Sequence, residues 1–147
     1  MSKLILLVED NASDEKLTVL ALKKCEVENH VFVVRDGAEA LDFVFATGAH
    51  AGRDPAQPPA LVLLDLNLPK IDGLEVLRRI RADVRTRALP VVILTSSKQE
   101  EDIAQGYSSG ANAYVRKPVA YAEFLAAARA IGAFWLSLNE GPPPVSR

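Results

Sequence analysis

The chain has 147 residues, 49% of them apolar, a formal net charge of −2 and one cysteine, Cys25. This length predicts a single domain, and this apolar content excludes a natively disordered chain. The net charge shows no excess of basic residues of the kind that binds nucleic acid. A single cysteine excludes an intramolecular disulfide.

Short apolar runs alternate with helical patterns along the whole chain. In chain order, we predict strand 4–8, helix 12–27, strand 31–34, helix 37–46, strand 61–64, helix 72–83, strand 91–94, helix 98–109, strand 113–115 and helix 121–138. Residues 46–60 contain glycine and proline without periodicity, which predicts a long loop. Residues 139–147 contain three consecutive prolines, and we expect a disordered tail there.

This alternation predicts an α/β fold with helices on both faces of a parallel sheet. We expect a doubly wound (βα)5 flavodoxin-like three-layer sandwich with strand order 2-1-3-4-5, formed by residues 1–138. The amino terminus, MSKLILLVED, is unlike a signal peptide, and no apolar run approaches the roughly 20 residues that span a bilayer. We therefore expect a soluble cytoplasmic protein with no membrane partner.

Polar side chains follow four of the predicted strands. Strand one is followed by Glu9 and Asp10, strand three by Asp65, strand four ends in Thr95, and strand five is followed by Lys117. In the order 2-1-3-4-5 these strands are consecutive neighbours, so their carboxyl ends bring the five side chains to one edge. Three carboxylates repel one another, and a magnesium ion, which prefers oxygen ligands, would relieve the repulsion.

Such a site suits a phosphoryl group. Asp65 is placed to attack phosphorus and become an acyl phosphate, while Thr95 and Lys117 are placed to contact phosphoryl oxygens. Each signal has a simpler explanation: Asp65 could cap a turn, Glu9 and Asp10 could open a helix, Thr95 could cap one, and Lys117 could lie on the surface. Their coincidence at four strand ends favours the phosphoryl site.

With these motifs the sequence resembles the receiver domain of bacterial two-component response regulators. The resemblance covers about residues 3–138, through VEDN at 8–11, LLDLNLPKIDGLEVL at 63–77, ILTSS at 93–97 and YVRKP at 114–118. It implies that Asp65 is the phosphoacceptor, that Lys117 contacts the phosphate, and that Thr95 is the switch hydroxyl. It also implies magnesium ligands in Glu9, Asp10, Asp65 and the Asn67 carbonyl.

The same resemblance implies three further features around the site. Tyr114 matches an aromatic that turns inward when Thr95 moves toward the phosphoryl group, although a half-exposed edge aromatic is the simpler alternative. The bond between Lys117 and Pro118 is expected to be cis. Gly73 is expected to turn the chain into the third helix, because glycine adopts unusual φ angles freely.

Within that family, the sequence is most similar to the small single-domain regulators of phytochrome histidine kinases. The long loop at 46–60, the stretch DLNLPKIDG and the ending AFWLSL carry this narrower resemblance. It implies a histidine kinase partner, which could be a bacteriophytochrome.

The last helix is apolar nearly all round. Its stripe of Phe124, Ala128, Ile131 and Trp135, with Phe134 beside it, could simply pack on the sheet, but its polar face is small. We predict a homodimer through the fourth helix, fifth strand and fifth helix, with these five residues at the interface.

We therefore expect a phosphorylation-driven signalling switch that is not a turnover enzyme. A phosphohydrolase of similar design needs an acid two residues after its nucleophile, where this chain has Asn67. A flavodoxin-like cofactor binder needs a phosphate loop after strand one, where this chain is acidic. A phosphorelay intermediate and a non-phosphorylated scaffold receiver are the alternatives left open.

Overall fold

The computed structural model describes residues 2–143, and its centre is a five-stranded parallel sheet. The strands are β1 (Lys3–Val8), β2 (Asn29–Val34), β3 (Leu61–Leu64), β4 (Val91–Thr95) and β5 (Ala113–Arg116). They lie in the order β2-β1-β3-β4-β5, and every neighbouring pair is parallel. The doubly wound order predicted from the sequence is confirmed.

Five helices connect and follow the strands: α1 (Ala12–Lys23), α2 (Gly37–Phe45), α3 (Gly73–Ala82), α4 (Glu100–Ser108) and α5 (Tyr121–Ala133). The first three begin at a side-chain cap. The caps Asn11, Asp36 and Asp72 each accept a hydrogen bond from the backbone N–H three residues later. These caps stand at the sheet edge where the strands end, so the local sequence starts each helix there.

The helices lie within one or two residues of their predicted bounds, except that α1 and α5 end four and five residues early. Helix α1 stops at Lys23 instead of residue 27, because the N–H groups of Lys24 and Cys25 bond to carbonyls only three residues back. Helix α5 ends at Ala133 and continues as a π-helical segment, Phe134–Leu138. In that segment Leu136 is buried, and the Lys3 ammonium donates to its carbonyl oxygen over 2.7 Å.

The helices cover both faces of the sheet in three layers. Alternate residues of the central strands point to opposite faces, as strand geometry requires. One face packs against α2 and α3, and the other against α1 and α5. Helix α4 lies on the first face, where Gly106 packs against Ile93 and Tyr114. Strands β1, β3 and β4 are buried on both faces, which explains their unbroken apolar sequences.

The predicted dimer interface is wrong for three of its five residues. Phe124, Ala128 and Ile131 are buried within the chain, with Phe124 and Ile131 in the core between α5 and the sheet. Their helical spacing marks the face that α5 needs for the sheet, which was the simpler alternative. Phe134 is 46% exposed and Trp135 is partly buried, so these two keep surface available for a partner.

The long loop at 46–60 contains a 3-10 turn, Gly48–His50, and otherwise consists of turns and bends. It packs against α2 and β2. The His50 ring lies 3.1 Å from the Glu39 carboxylate and meets the rings of Phe32 and Phe43 edge-on. The Arg53 guanidinium lies 4.2 Å from the centre of the Phe43 ring. These contacts hold the loop on the side of the sheet remote from β5.

Within residues 2–143, no helix combines the length and apolar character needed to cross a membrane. Residues 139–143 form neither helix nor strand. The rest of the predicted tail, residues 144–147, lies outside the described residues.

Gly73 is required for space and not for an unusual φ angle. The positive φ in the bend after β3 belongs to Lys70, at 69°, while the glycines with positive φ are Gly48 and Gly110. A Cβ atom at Gly73 would lie 2.3 Å from the Asp65 carbonyl oxygen and 2.7 Å from the Leu66 Cα atom. Both obstacles are backbone, so α3 can start this close to β3 only at a glycine.

We expect Gly73→Ala to lower the free energy of unfolding by roughly 1–3 kcal/mol, as overpacking against fixed backbone does. Gly52→Ala is the matched control, because nothing lies within 4 Å of a Cβ atom built at Gly52. The urea midpoints of the two variants and the wild type measure the effect. Equal midpoints for both variants would contradict this account of Gly73.

Candidate functional site

Four polar side chains are buried where β1, β3, β4 and β5 end. They are Glu9, Asp65, Thr95 and Lys117. The ladder hydrogen bonds continue one residue past β1, β3 and β5: Glu9 N–H donates to the Val34 carbonyl, Asp65 N–H to that of Val8, and Lys117 N–H to that of Thr95, over 2.7–3.1 Å. Thr95 is itself the last residue of β4. The backbone of each of these residues is therefore held as firmly as a strand residue, although its side chain faces the edge.

The Lys117 ammonium is the centre of this group. Its Nζ atom lies 2.7 Å from Glu9 Oε1, 2.8 Å from Asp65 Oδ2 and 2.9 Å from Asp14 Oδ2. An ammonium carries three hydrogens, so each carboxylate can receive one. Charge-assisted bonds of this kind are the strong ones, and they compensate the burial of the charges.

The second oxygen of Asp65 has its own donors. The Thr95 hydroxyl donates to Asp65 Oδ1 over 2.9 Å, and the Asn67 backbone N–H donates to the same oxygen over 3.2 Å. Both carboxylate oxygens are therefore oriented by groups from three separate parts of the chain. The structure brings Asp65, Thr95 and Lys117 into direct contact, as the sequence analysis expected.

The pKa of Asp65 is held below its ordinary value. Burial acts to raise it, but the hydrogen bond and charge of Lys117 and the Asn67 N–H outweigh burial. For Glu9, burial dominates and raises the pKa to about 7 despite the same lysine. Burial lowers the pKa of Lys117, but its three carboxylate partners outweigh burial and raise it. Asp65 is thus an ionised carboxylate, which is the form that a nucleophile needs.

Asp14 is the residue that the sequence analysis missed. It lies in the first turn of α1, four residues after Asp10, where an acidic side chain looks like an ordinary partner of the helix dipole. The spacing of one helical turn from Asp10 was the available signal. Only the approach of β5 to α1 shows that its carboxylate reaches Lys117.

The acidic cluster fits a divalent cation. Glu9, Asp10 and Asp65 each offer a carboxylate oxygen, and these oxygens lie within 4.8 Å of one another. Three carboxylates contact the Lys117 ammonium, and Asp10 adds a fourth acidic group beside Glu9 and Asp65, so acidic side chains outnumber the one lysine. Hard oxygen donors of this kind suit magnesium or manganese. Asn67 stands beside the cluster through its N–H bond to Asp65, and its carbonyl as a further ligand stays a prediction.

Tyr114 connects the site to α4. Its hydroxyl donates to the Ser97 carbonyl oxygen over 3.0 Å, two residues after Thr95. Ser97 in turn bonds through its hydroxyl to Asp102 in α4. The Tyr114 ring is partly buried against the core, and burial raises the pKa of its hydroxyl. Thr95, Tyr114 and α4 are therefore mechanically linked.

The predicted cis bond between Lys117 and Pro118 is wrong for this structure, in which no described peptide bond is cis. A trans bond is the default even before proline, by about 0.5–1 kcal/mol. Lys117 reaches all three carboxylates from the trans form, so the ion-pair geometry does not require cis.

Comparison with known proteins agrees with this geometry. The model of the response regulator receiver domain matches residues 5–129. Among curated proteins, the chain is 38% identical to the probable methanogenesis regulatory protein FilR2 of Methanothrix harundinacea, over 96% of this chain and 88% of that protein. It is 37% identical to the response regulator Rcp1 of Synechocystis sp., over 91% of this chain and 89% of Rcp1.

Solved structures match over nearly the whole chain. The phosphorylated cyanobacterial phytochrome response regulator RcpA superimposes with a TM-score of 0.91 at 39% identity, over 97% of this chain and all of RcpA. The bacteriophytochrome response regulator RtBRR is 50% identical with a TM-score of 0.76, over 97% of this chain and 86% of RtBRR. A similar structure of Rcp1 is a Mn²⁺-bound form. The chain belongs to the response regulator receiver domain family.

Proposed function

We propose that this chain is a signalling switch in which Asp65 accepts a phosphoryl group from the phosphohistidine of a histidine kinase. One observation carries the proposal: an ionised Asp65 carboxylate is held at the sheet edge between the Thr95 hydroxyl and the Lys117 ammonium. These are the nucleophile and the donors that phosphoryl transfer needs. Receiver regulators are signalling proteins, and we propose no turnover reaction on an external substrate.

In the proposed transfer, an Asp65 oxygen forms a bond to phosphorus while the bond from phosphorus to the imidazole nitrogen breaks. The nitrogen keeps the electron pair of the broken bond. Thr95 and Lys117 already contact different oxygens of Asp65, so each needs only a short shift to donate to a phosphoryl oxygen instead.

Magnesium bound by Glu9, Asp10, Asp65 and the Asn67 carbonyl would offset the negative charge of the transferred group. The acidic cluster supports this assignment, as does the Mn²⁺-bound form of Rcp1.

The output of the switch would pass through Thr95. When its hydroxyl follows the phosphoryl group, the backbone between Thr95 and Ser97 moves with it. The Tyr114 hydroxyl and Asp102 are both bonded to Ser97, so the position of α4 responds. Tyr114 and Thr95 are accordingly the proposed switch residues, and a protein partner at this surface is the proposed target.

We further propose that the phosphoryl donor is a phytochrome-linked histidine kinase. The near-complete match to RcpA and RtBRR supports it, since both are named as phytochrome or bacteriophytochrome response regulators. FilR2 matches the chain over a similar extent and carries a different regulatory name. A phosphorelay intermediate uses the same Asp65 chemistry, whereas a scaffold receiver would leave Asp65 unmodified.

We expect the wild-type protein, incubated with acetyl phosphate and Mg²⁺, to gain the mass of one phosphoryl group. Asp65→Asn removes the nucleophile and should gain nothing. EDTA added before the phosphodonor should abolish the gain in the wild type. Asp83→Asn is the matched control, because Asp83 pairs with Arg85 on the surface and should be labelled like the wild type. Intact mass spectrometry reads all four samples.

Equal labelling of Asp65→Asn and the wild type would refute Asp65 as the acceptor. No labelling of the wild type by either acetyl phosphate or a phosphorylated kinase domain of a bacteriophytochrome would favour the scaffold alternative.

We also propose a homodimer through α4, β5 and α5, with Phe134 and Trp135 near the contact. Seven large apolar side chains are exposed within residues 2–143, and five of them lie between Tyr107 and Leu138. This part of the chain thus carries most of the exposed apolar surface, which is typical of an interface. The rings of Phe134 and Trp135 meet edge-on with centroids 5.1 Å apart and present one aromatic unit.

We expect Phe134→Ser to weaken dimerisation by roughly tenfold or more, as loss of a central aromatic does. Val84→Ser is the control, because Val84 is also an exposed apolar residue but lies after α3. Sedimentation equilibrium of the two variants and the wild type measures the dissociation constants. A wild type that is monomeric at all practical concentrations would refute the dimer.

A further inference from the structure

All three hydrogens of the Lys117 ammonium already have a carboxylate acceptor. Its three ammonium hydrogens face Glu9, Asp14 and Asp65, all within 2.9 Å. The ammonium can therefore donate to a transferred phosphoryl group only after one carboxylate releases it. The three carboxylates differ in how readily their surroundings would let them release the ammonium.

Glu9 and Asp65 belong to the acidic cluster that fits a metal, and Asp14 does not. Glu9 and Asp65 would hold a divalent cation at that cluster, and as its ligands they would bind the Lys117 ammonium less strongly. Of the three carboxylates that contact Lys117 in the described chain, Asp14 alone would remain free of metal contact and available to the lysine.

The geometry of Asp14 suits a fixed anchor. Its N–H donates to the Asn11 side chain over 3.0 Å, and its carbonyl accepts from the Thr18 hydroxyl over 2.8 Å. These bonds fix its backbone in the first turn of α1. Its side chain is 25% exposed, so its carboxylate contacts solvent as well as the buried lysine.

We propose that Asp14 is a positioning residue for phosphoryl transfer, resting on the function proposed above. It holds the Lys117 ammonium at the sheet edge when metal occupies Glu9 and Asp65, so that the hydrogens they release point at the incoming phosphoryl group. The simpler role of Asp14, a first-turn acid that stabilises the start of α1, makes no such demand on Lys117.

The first test is the rate of phosphorylation by acetyl phosphate as a function of Mg²⁺ concentration. At saturating Mg²⁺, we expect Asp14→Asn to be phosphorylated roughly tenfold more slowly than the wild type. This factor corresponds to the loss of one charge-assisted hydrogen bond that is partly screened by solvent. Asp14→Glu keeps the charge and should recover part of the rate. Glu15→Gln is the matched control, since it removes the same charge one residue away and contacts Arg35 instead.

A rate for Asp14→Asn that equals that of Glu15→Gln at saturating Mg²⁺ would overturn the proposal. In that outcome Asp14 would contribute only net charge to metal affinity.

The second test observes Lys117 directly and needs no phosphorylation. In the wild type with saturating Mg²⁺, we expect a slowly exchanging side-chain ammonium signal of Lys117 by ¹⁵N NMR. Asp14→Asn should lose that signal and Glu15→Gln should keep it, with urea midpoints confirming that both variants are folded. A signal that survives in Asp14→Asn refutes the anchor. A wild type that shows the signal but takes up no phosphoryl group would refute the proposed function and leave the anchor supported.

Discussion

The sheet edge at which β1, β3, β4 and β5 end depends on the ion pairs of Lys117. One ammonium from the end of β5 contacts carboxylates from the end of β1, the first turn of α1 and the end of β3. Buried charges of one sign repel and lose hydration, so the lysine offsets the cost of bringing these three carboxylates together. The same contacts leave Asp65 ionised and oriented. The same ion pairs therefore stabilise this edge of the sheet and prepare Asp65 for its chemistry.

The arrangement is possible because the strands are parallel. All five carboxyl ends lie at one edge, and the ladder hydrogen bonds run one residue past β1, β3 and β5. The site side chains therefore belong to residues whose backbone is hydrogen-bonded like that of a strand. The capped first turns of α1, α2 and α3 lie beside them. Helix α4, which follows Thr95, begins without a side-chain cap. It is connected to the site through Ser97 and Tyr114. In the proposed switch, α4 is the element whose attachment to the site would change.

The predictions that the structure contradicts have three different origins. The apolar stripe of α5 was assigned to a partner chain, but Phe124, Ala128 and Ile131 fill the face that the sheet requires. The pattern shows that a helix face is apolar, and it does not show what covers that face. Gly73 was explained by backbone freedom, whereas the structure needs it for the close approach of α3 to β3. The cis bond before Pro118 came from resemblance alone, and no local pattern could have tested it.

The sequence by itself determined the elements, their order and five of the site residues, because strand periodicity and right-handed crossovers leave few alternatives. The carboxyl ends of neighbouring strands must meet, so the side chains that follow them could be placed together from their positions alone: Glu9, Asp10, Asp65, Thr95 and Lys117. Only the tertiary structure decided that Asp14 joins them and which oxygen of Asp65 each donor contacts. Those facts depend on distances of a few ångströms between side chains far apart in the chain, which packing of the whole molecule sets.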